Sequence, residues 1–258
     1  ENTAISSGGA IFANNGSSYE LVNSTIYNNT ANVGGGLNHA GNTTHPTVKN
    51  SIIYGNGQQV INNRSATTTI EYSLVQGGYS GIGNLVGDPL FVNTTSGIYS
   101  LQACSPAINS GNNVLIPSGV TTDIAGNTRT YATTVDMGAY EYQSPKQFAP
   151  AITLEPVNFY ACVGSSASFS ITATNTSIYQ WQVNTGSAFA NVNNNATYSG
   201  AATATLNISN VTPEMSAYTY RVIAIGICLP NDTSETASLS FVNIRYVKQG
   251  ETGNGLSW

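Results

Sequence analysis

Apolar and polar positions alternate in short runs along the first third of the chain, and the runs recur. Leu21-Val22-Asn23-Ser24-Thr25-Ile26-Tyr27-Asn28-Asn29 returns as Thr47-Val48-Lys49-Asn50-Ser51-Ile52-Ile53-Tyr54-Gly55-Asn56, and more loosely as residues 69–78. Aligning Ser24, Ser51 and Ser73 gives spacings of 27 and 22 residues. A second motif, Gly8-Gly9-Ala10-Ile11-Phe12, recurs as Gly34-Gly35-Gly36-Leu37. A period in the twenties fits leucine-rich repeats or a parallel β-helix. These segments hold few leucines, and their period-2 alternation between Gly and Asn corners suits β-helix coils. Asn at such corners tolerates left-handed backbone angles and can stack on the Asn of the next coil.

Beyond residue 84 the repeat stops. Gln143-Ser144-Pro145-Lys146-Gln147-Phe148-Ala149-Pro150 has two prolines and no alternation, which marks a boundary. Residues 166–173, 178–183, 204–208, 218–224 and 237–242 then alternate as strands with turn residues between them. About seven strands in some ninety residues is the immunoglobulin-like expectation. Trp181 falls on the central strand, where that fold buries its Trp, and Tyr218 is the candidate for the tyrosine corner. Tyr220 stands where antibody domains carry their second cysteine. The expected fold class is therefore all-β, a right-handed parallel β-helix followed by an Ig-like β-sandwich. The expected domains are 1–145, 146–245, and 246–258 as the start of a further β-helix repeat.

Composition sharpens this picture. Only 7% of residues are charged, against about 25% in an average soluble domain. Asn, Ser, Thr and Gly replace the missing charge and disfavour helix interiors. The net charge is −5, and the seven Lys and Arg are scattered, so no nucleic-acid partner is expected. No apolar run is long enough to span a bilayer, so no membrane insertion is expected. The chain opens on Glu1 in mid-pattern, which reads as a piece of a longer protein. Cys104, Cys162 and Cys228 form no CxxC pair. Cys162 and Cys228 share a domain and could form a structural disulfide, with Cys104 a lone buried thiol. The alternative is two unpaired buried thiols.

Candidate chemistry is sparse. Asp88, Asp123 and Asp136 could hold calcium through hard carboxylate oxygens, or serve as turn and cap residues beside Pro and Gly, the reading we favour. The repeat region up to residue 84 offers Glu20, Glu71, Lys49, Arg64, His39 and His45 as candidate acids and bases. Glu20 and Glu71 do not align in the repeat, and glycoside hydrolysis needs two facing carboxyls. His39 and His45 flank a polar loop and make a weak metal pair, with a solvated loop the expected outcome. No Gly-x-Ser-x-Gly elbow exists. No catalytic residue, metal ligand or cofactor is assigned, and an enzyme is not expected. Tyr27 and Tyr54 match in the repeat and are expected to stack as a structural ladder.

The segment after the repeat carries a longer signature: Gly87-Asp88-Pro89-Leu90-Phe91, Cys104-Ser105-Pro106-Ala107-Ile108, Asp123-Ile124-Ala125-Gly126-Asn127 and Asp136-Met137-Gly138-Ala139-Tyr140. It resembles the closing module of bacterial surface β-helix proteins of the choice-of-anchor Q family. Residues 1–142 carry the resemblance. Cys162-Val163-Gly164, Tyr179-Gln180-Trp181 and Tyr218-Thr219-Tyr220 resemble the Ig-like modules of Bacteroidetes adhesins, and residues 246–258 look like the opening of another β-helix. The resemblance implies a secreted, cell-surface protein exported by the type IX system. It implies a structural or adhesive stalk segment, of the kind used in gliding motility or attachment. Its partners would be neighbouring repeats of the same chain and an extracellular surface or polysaccharide. The rival readings are a carbohydrate-binding or polysaccharide-degrading β-helix and a matrix component.

Overall fold

The computed structural model describes residues 1–57 and 60–241. The expected further repeat at 246–258 lies outside the described residues. The chain is all-β, and its described helical segments are three short 3-10 turns. It divides into two compact units, Glu1–Gln147 and a second from Phe148 onward.

In the first unit the repeats pair in parallel and in register. Glu20–Val22, Thr47–Lys49 and Thr69–Glu71 form one three-stranded sheet. Thr25–Tyr27, Ile52–Tyr54 and Leu74–Val75 form a second, and Ile11–Ala13, Leu37–Ala40 and Ile61–Arg64 a third. An antiparallel hairpin, Phe91–Asn93 with Ile98–Leu101, follows.

The corners between rungs explain the recurring polar residues. Asn23, Asn50 and Tyr72 adopt left-handed angles, with φ of 47°, 48° and 47°. Each is followed by a rung serine. The Ser24 N–H donates to Ser51 Oγ at 3.1 Å, the Ser51 N–H to Ser73 Oγ at 3.0 Å, and the Ser73 N–H to Asn84 Oδ1 at 3.0 Å. Each hydroxyl in turn donates to a carbonyl two residues back, on Val22, Lys49 and Glu71. Asn2, Asn29 and Asn56 make a parallel ladder: the Asn2 N–H donates to Asn29 Oδ1 at 2.9 Å and the Asn29 N–H to Asn56 Oδ1 at 3.0 Å. The side chains thus satisfy backbone donors at corners where strand pairing lapses. Gly9 sits so close to the Gly35 carbonyl of the next rung that a Cβ there would collide with it.

Two apolar clusters fill this unit. Ile26, Leu37, Val48, Ile53, Ile70 and Val75 form one. Ile52 and Leu74 belong to the other, with Phe91, Leu101, Ala107, Ile108 and Met137. The strand Ile52–Tyr54 therefore buries both faces. Residues after 84 leave the repeat because they cover the outward face of this sheet. Burying an Ile or Leu side chain contributes about 1.5–3 kcal/mol.

The second unit is a two-sheet sandwich. Thr219–Ile225 pairs antiparallel with Ile178–Asn184 over seven residues, and on its other side with Ala237–Phe241. Phe159–Ala161 adds in parallel to Ala237–Phe241, and Phe189–Asn191 closes the far edge. The facing sheet holds Ala167–Ser170, Thr205–Ile208 and Tyr198–Ser199. Thr219–Ile225 alternates strictly, with Tyr220, Val222 and Ala224 buried. Trp181 is fully buried and its Nε1–H donates to the Thr203 carbonyl at 2.9 Å. Tyr218 caps the 3-10 turn Pro213–Ala217 and is half-buried against the core. Tyr220, two residues on, is fully buried and stacks on Phe169.

Cys162 is a free, exposed thiol, whereas Cys228 is buried and disulfide-bonded. The expected Cys162–Cys228 bridge is therefore absent. Cys162 lies in the exposed turn after Phe159–Ala161 rather than against the core. In the first unit Cys104 is disulfide-bonded, not the lone buried thiol expected from the sequence.

Candidate functional site

The densest group of charged side chains lies in the closing segment of the first unit. Asp123, Arg129, Asp136 and Glu141 are all buried there. Arg129, only 3% exposed, donates from Nη1 to the Ala139 carbonyl and from Nη2 to those of Asp136 and Gly138. Its Nη2 lies 3.6 Å from Glu141 Oε2. One guanidinium thus gathers three carbonyls of a tight loop, a task its fork of donors suits.

The carboxylates face backbone donors. Asp123 Oδ1 accepts from the N–H groups of Ala125 and Asn127, and its Oδ2 accepts from the Glu141 N–H. Asp136 accepts from Asn109 and Tyr142, one N–H on each oxygen. Glu141 accepts from Tyr131 and Asp136 in the same way. Asp88 is exposed and its Oδ1 accepts from Leu90 N–H. The structure brings Asp123 and Asp136 into one cluster and leaves Asp88 outside it. Each acts as a turn-and-cap residue, with its oxygens on N–H groups.

Burial sets the electrostatics. It pushes Glu141 up to about 7, against the pull of two N–H donors and Arg129. Asp136 is raised for the same reason, with the Asn109 and Tyr142 N–H groups opposing. At Asp123 burial also works upward, but the donors from Glu141, Asn127 and Ala125 outweigh it and hold the carboxyl below its ordinary value. The cluster pins residues 123–142 onto the rungs, and Thr25 Oγ1 accepts the Ala139 N–H at 3.0 Å.

His39 differs from the expected solvated loop residue. It is fully buried. Tyr19 Oη lies 2.7 Å from its Nε2, and Asn63 Oδ1 and Thr68 Oγ1 each lie 2.8 Å from its Nδ1. The Asn63 oxygen only accepts, so Nδ1 carries the proton and Nε2 accepts from Tyr19. Burial lowers the His39 pKa below its ordinary value. His45 is exposed, so the two histidines do not share an environment.

The remaining candidates are rung residues. Glu20 aligns with Thr47, while Glu71 aligns with Lys49, so the two acids occupy different rows. Lys49 Nζ lies 2.7 Å from Glu20 Oε1 on the surface. Tyr27 and Tyr54 are direct register partners, and the Tyr27 ring also packs against Phe91 and Tyr99 at 5.4 and 5.2 Å. Sequence reasoning assigned no role to Arg129, Glu141, Tyr19, Asn63 or Asn23. The legible signal for the first two was four charges within residues 123–141 of a chain that is only 7% charged. Among the described residues no three His, Cys, Asp or Glu side chains are placed to hold a metal ion. A cavity of about 350 Å³ borders the cluster.

No protein-family model and no curated protein sequence matches the chain. Solved structures similar to it include the N-terminal Ig1-2 module of the Drosophila receptor protein tyrosine phosphatase DLAR, at 22% identity and TM-score 0.31. That match covers 36% of this chain and 49% of the DLAR module, so the chain spans about half of it. Titin domain M4 matches at 19% identity and TM-score 0.30, covering 36% of this chain and 96% of that one. Titin domain I10 matches at 19% and 0.29, covering 36% and 99%. The class rests on the chain's own strand order: an all-β protein with an immunoglobulin-like component. Its sheets are those of a sandwich with the central Trp buried between them.

Proposed function

We propose that this chain is a structural, adhesive segment of a cell-surface protein. In this reading the first unit is a short right-handed parallel β-helix and the second an Ig-like spacer. The observation that carries it is the use of the rung side chains. Ser24, Ser51 and Ser73, and Asn2, Asn29 and Asn56, satisfy the backbone of a neighbouring rung. Such ladders tie successive rungs into a stiff body and leave few groups for chemistry. The right hand follows from the general preference of parallel crossovers. Disulfide bonding at Cys104 and at Cys228 supports an oxidising setting outside the cytoplasm. Export by the type IX system and a part in gliding rest on the sequence resemblance of residues 1–142 alone.

The test is to coat beads with the chain and present polysaccharide-covered and protein-covered surfaces, while assaying the same polysaccharides for new reducing ends. Attachment without cleavage is the expected result. Release of reducing ends would overturn the reading in favour of a polysaccharide-degrading protein.

A further inference from the structure

Arg221 is the one Lys or Arg of the second unit among the described residues. Its strand alternates, with Tyr220 and Val222 buried, so Arg221 stands on the face turned away from the Trp181 core. Two neighbours hold it there. Its guanidinium carbon lies 4.0 Å from the centre of the Phe189 ring, a cation–π contact. Its Nε–H donates to Gln182 Oε1 at 2.8 Å, and Gln182 Nε2 donates in turn to Asn191 Oδ1 at 2.9 Å. Arg221 is the register partner of Gln182, and Gln182 that of Asn191, so the bonds run across three strands.

The two Nη groups are left over. Among the described residues no carbonyl accepts from them, and no Asp or Glu lies within ion-pair distance. Nor are they sealed: the one guanidinium nitrogen both buried and unpaired among the described residues is Arg129 Nε. Arg129 spends its Nη donors on the carbonyls of Ala139, Asp136 and Gly138. Arg221 is held by its Nε and its ring contact instead, which leaves the outer edge of its fork open. Two coplanar donors at this spacing match the two oxygens of a carboxylate. A side chain already held in place loses little freedom on binding. The flanking polar residues of the same face, Gln182, Asn184, Asn191 and Thr219, are all uncharged. Amides and hydroxyls of this kind pair with the hydroxyls of a ligand. One cation among neutral amides suits a ligand with a single carboxylate on each hydroxyl-rich unit, which is the chemistry of a uronic acid. A densely charged polymer would meet the repulsion of a chain with net charge −5.

We propose that the outer face of this sheet binds a uronic acid unit of an acidic polysaccharide. Both Nη groups of Arg221 donate to the sugar carboxylate, and the neighbouring amides of Asn184 and Asn191 serve its hydroxyls. Phe189 and Gln182 are positioning residues that fix the plane of the fork. An acidic peptide offers the same carboxylate without the hydroxyls these amides would take. The proposal rests on the adhesive reading and deepens it, by naming a ligand class and a site.

The probe is trigalacturonate, titrated into the whole chain and followed by NMR at the Arg221 Nε–H and the Phe189 ring. Saturable shifts are expected at both. The methyl ester of the same sugar keeps the hydroxyls and loses the charge, and should bind about tenfold more weakly or worse. Arg221→Gln should weaken trigalacturonate binding about tenfold or more. Arg221→Lys keeps the charge but loses the fork, and should restore only part of that affinity. Both substitutions lie on an outer sheet face, and an amide spectrum unchanged elsewhere shows that the fold is kept. No saturable shift, equal binding of the ester, or an unchanged affinity in Arg221→Gln would each overturn the proposal. A response to N-acetyl-L-glutamic acid N-methylamide as strong as that to trigalacturonate would overturn it in favour of an acidic protein partner. If the site fails while coated beads still attach to polysaccharide, the adhesive reading stands and this site does not.

Discussion

Phe169 and Tyr220 stack between the two sheets of the second unit, with ring centroids 4.9 Å apart and planes 29° apart. They come from Ala167–Ser170 and Thr219–Ile225, one strand from each sheet. Antibody domains join these sheets with a disulfide packed on the central Trp. Here the aromatic pair fills that place, and the Phe169 ring also packs 6.4 Å from that of Trp181. Tyr220→Ala should cost about 3–5 kcal/mol, as large-to-small changes of buried aromatics do. Tyr220→Phe keeps the stack and loses only a 3.4 Å contact with the Tyr198 hydroxyl, so it should cost about 1 kcal/mol or less. Urea unfolding followed by fluorescence separates the two outcomes.

The serine ladder makes a local prediction in the first unit. Ser51 Oγ accepts from the Ser24 N–H and its hydroxyl donates to the Lys49 carbonyl. Ser51→Ala strips both from a buried corner and should cost about 1–3 kcal/mol. Hydrogen exchange at the Ser24 amide should speed up more than exchange in the second unit. Equal change in both units would mean the ladder is not what holds this corner.

Two buried groups oppose each other in their response to pH. His39 is neutral in the fold and its pKa is depressed by burial. Its contribution is present above the ordinary histidine value of about 6.5 and is lost as pH falls through the lower folded value. Glu141 is raised from 4.5 to about 7. Its contribution is present below 4.5 and is lost as pH rises through 7. The first unit should therefore lose His39 stabilisation on acidification, and Glu141→Gln should remove the opposing loss of stability as pH rises from about 5 to 7, leaving a steeper decline on the acid side. Glu141→Gln also places an amide NH2 against one of two N–H donors, so its stability at low pH should fall. Thermal unfolding of both proteins across this range, with NMR titration of the His39 ring, reads both signs.

Thiol chemistry checks the cysteine assignment. Cys162 is free and exposed, while Cys104 and Cys228 are disulfide-bonded. One thiol should react with maleimide in the folded, unreduced protein, and Cys162→Ser should abolish the reaction. Two or three reactive thiols before reduction would contradict the assignment.

Much of the first unit's pairing was legible because its period is written in the residues that make the contacts. Ser24, Ser51 and Ser73 recur in sequence and hydrogen-bond in the fold, so the alignment gave the register. The burial of both Ile52 and Ile53 was less visible, since alternation predicts one buried face and the closing segment supplies the second. The roles of Asp123 and Asp136 were legible from their Gly and Asn neighbours. Arg129 and Glu141 lie in the same stretch, but local pattern does not show that all four charges are buried together. The burial of His39 was not legible because its partners come from two distant stretches, Tyr19 on one side and Asn63 with Thr68 on the other. The cysteine pairing failed for a related reason: sharing a domain says nothing about which thiols approach within bonding distance.

Force tests the central claim most directly. The chain is held between handles at its two ends and stretched, beside Ser51→Ala and Asn29→Ala variants. If the first unit is a ladder-held structural body, it should unfold in one cooperative event, at a force lowered by either substitution. Gradual yielding at low force, unaffected by both substitutions, would contradict the account.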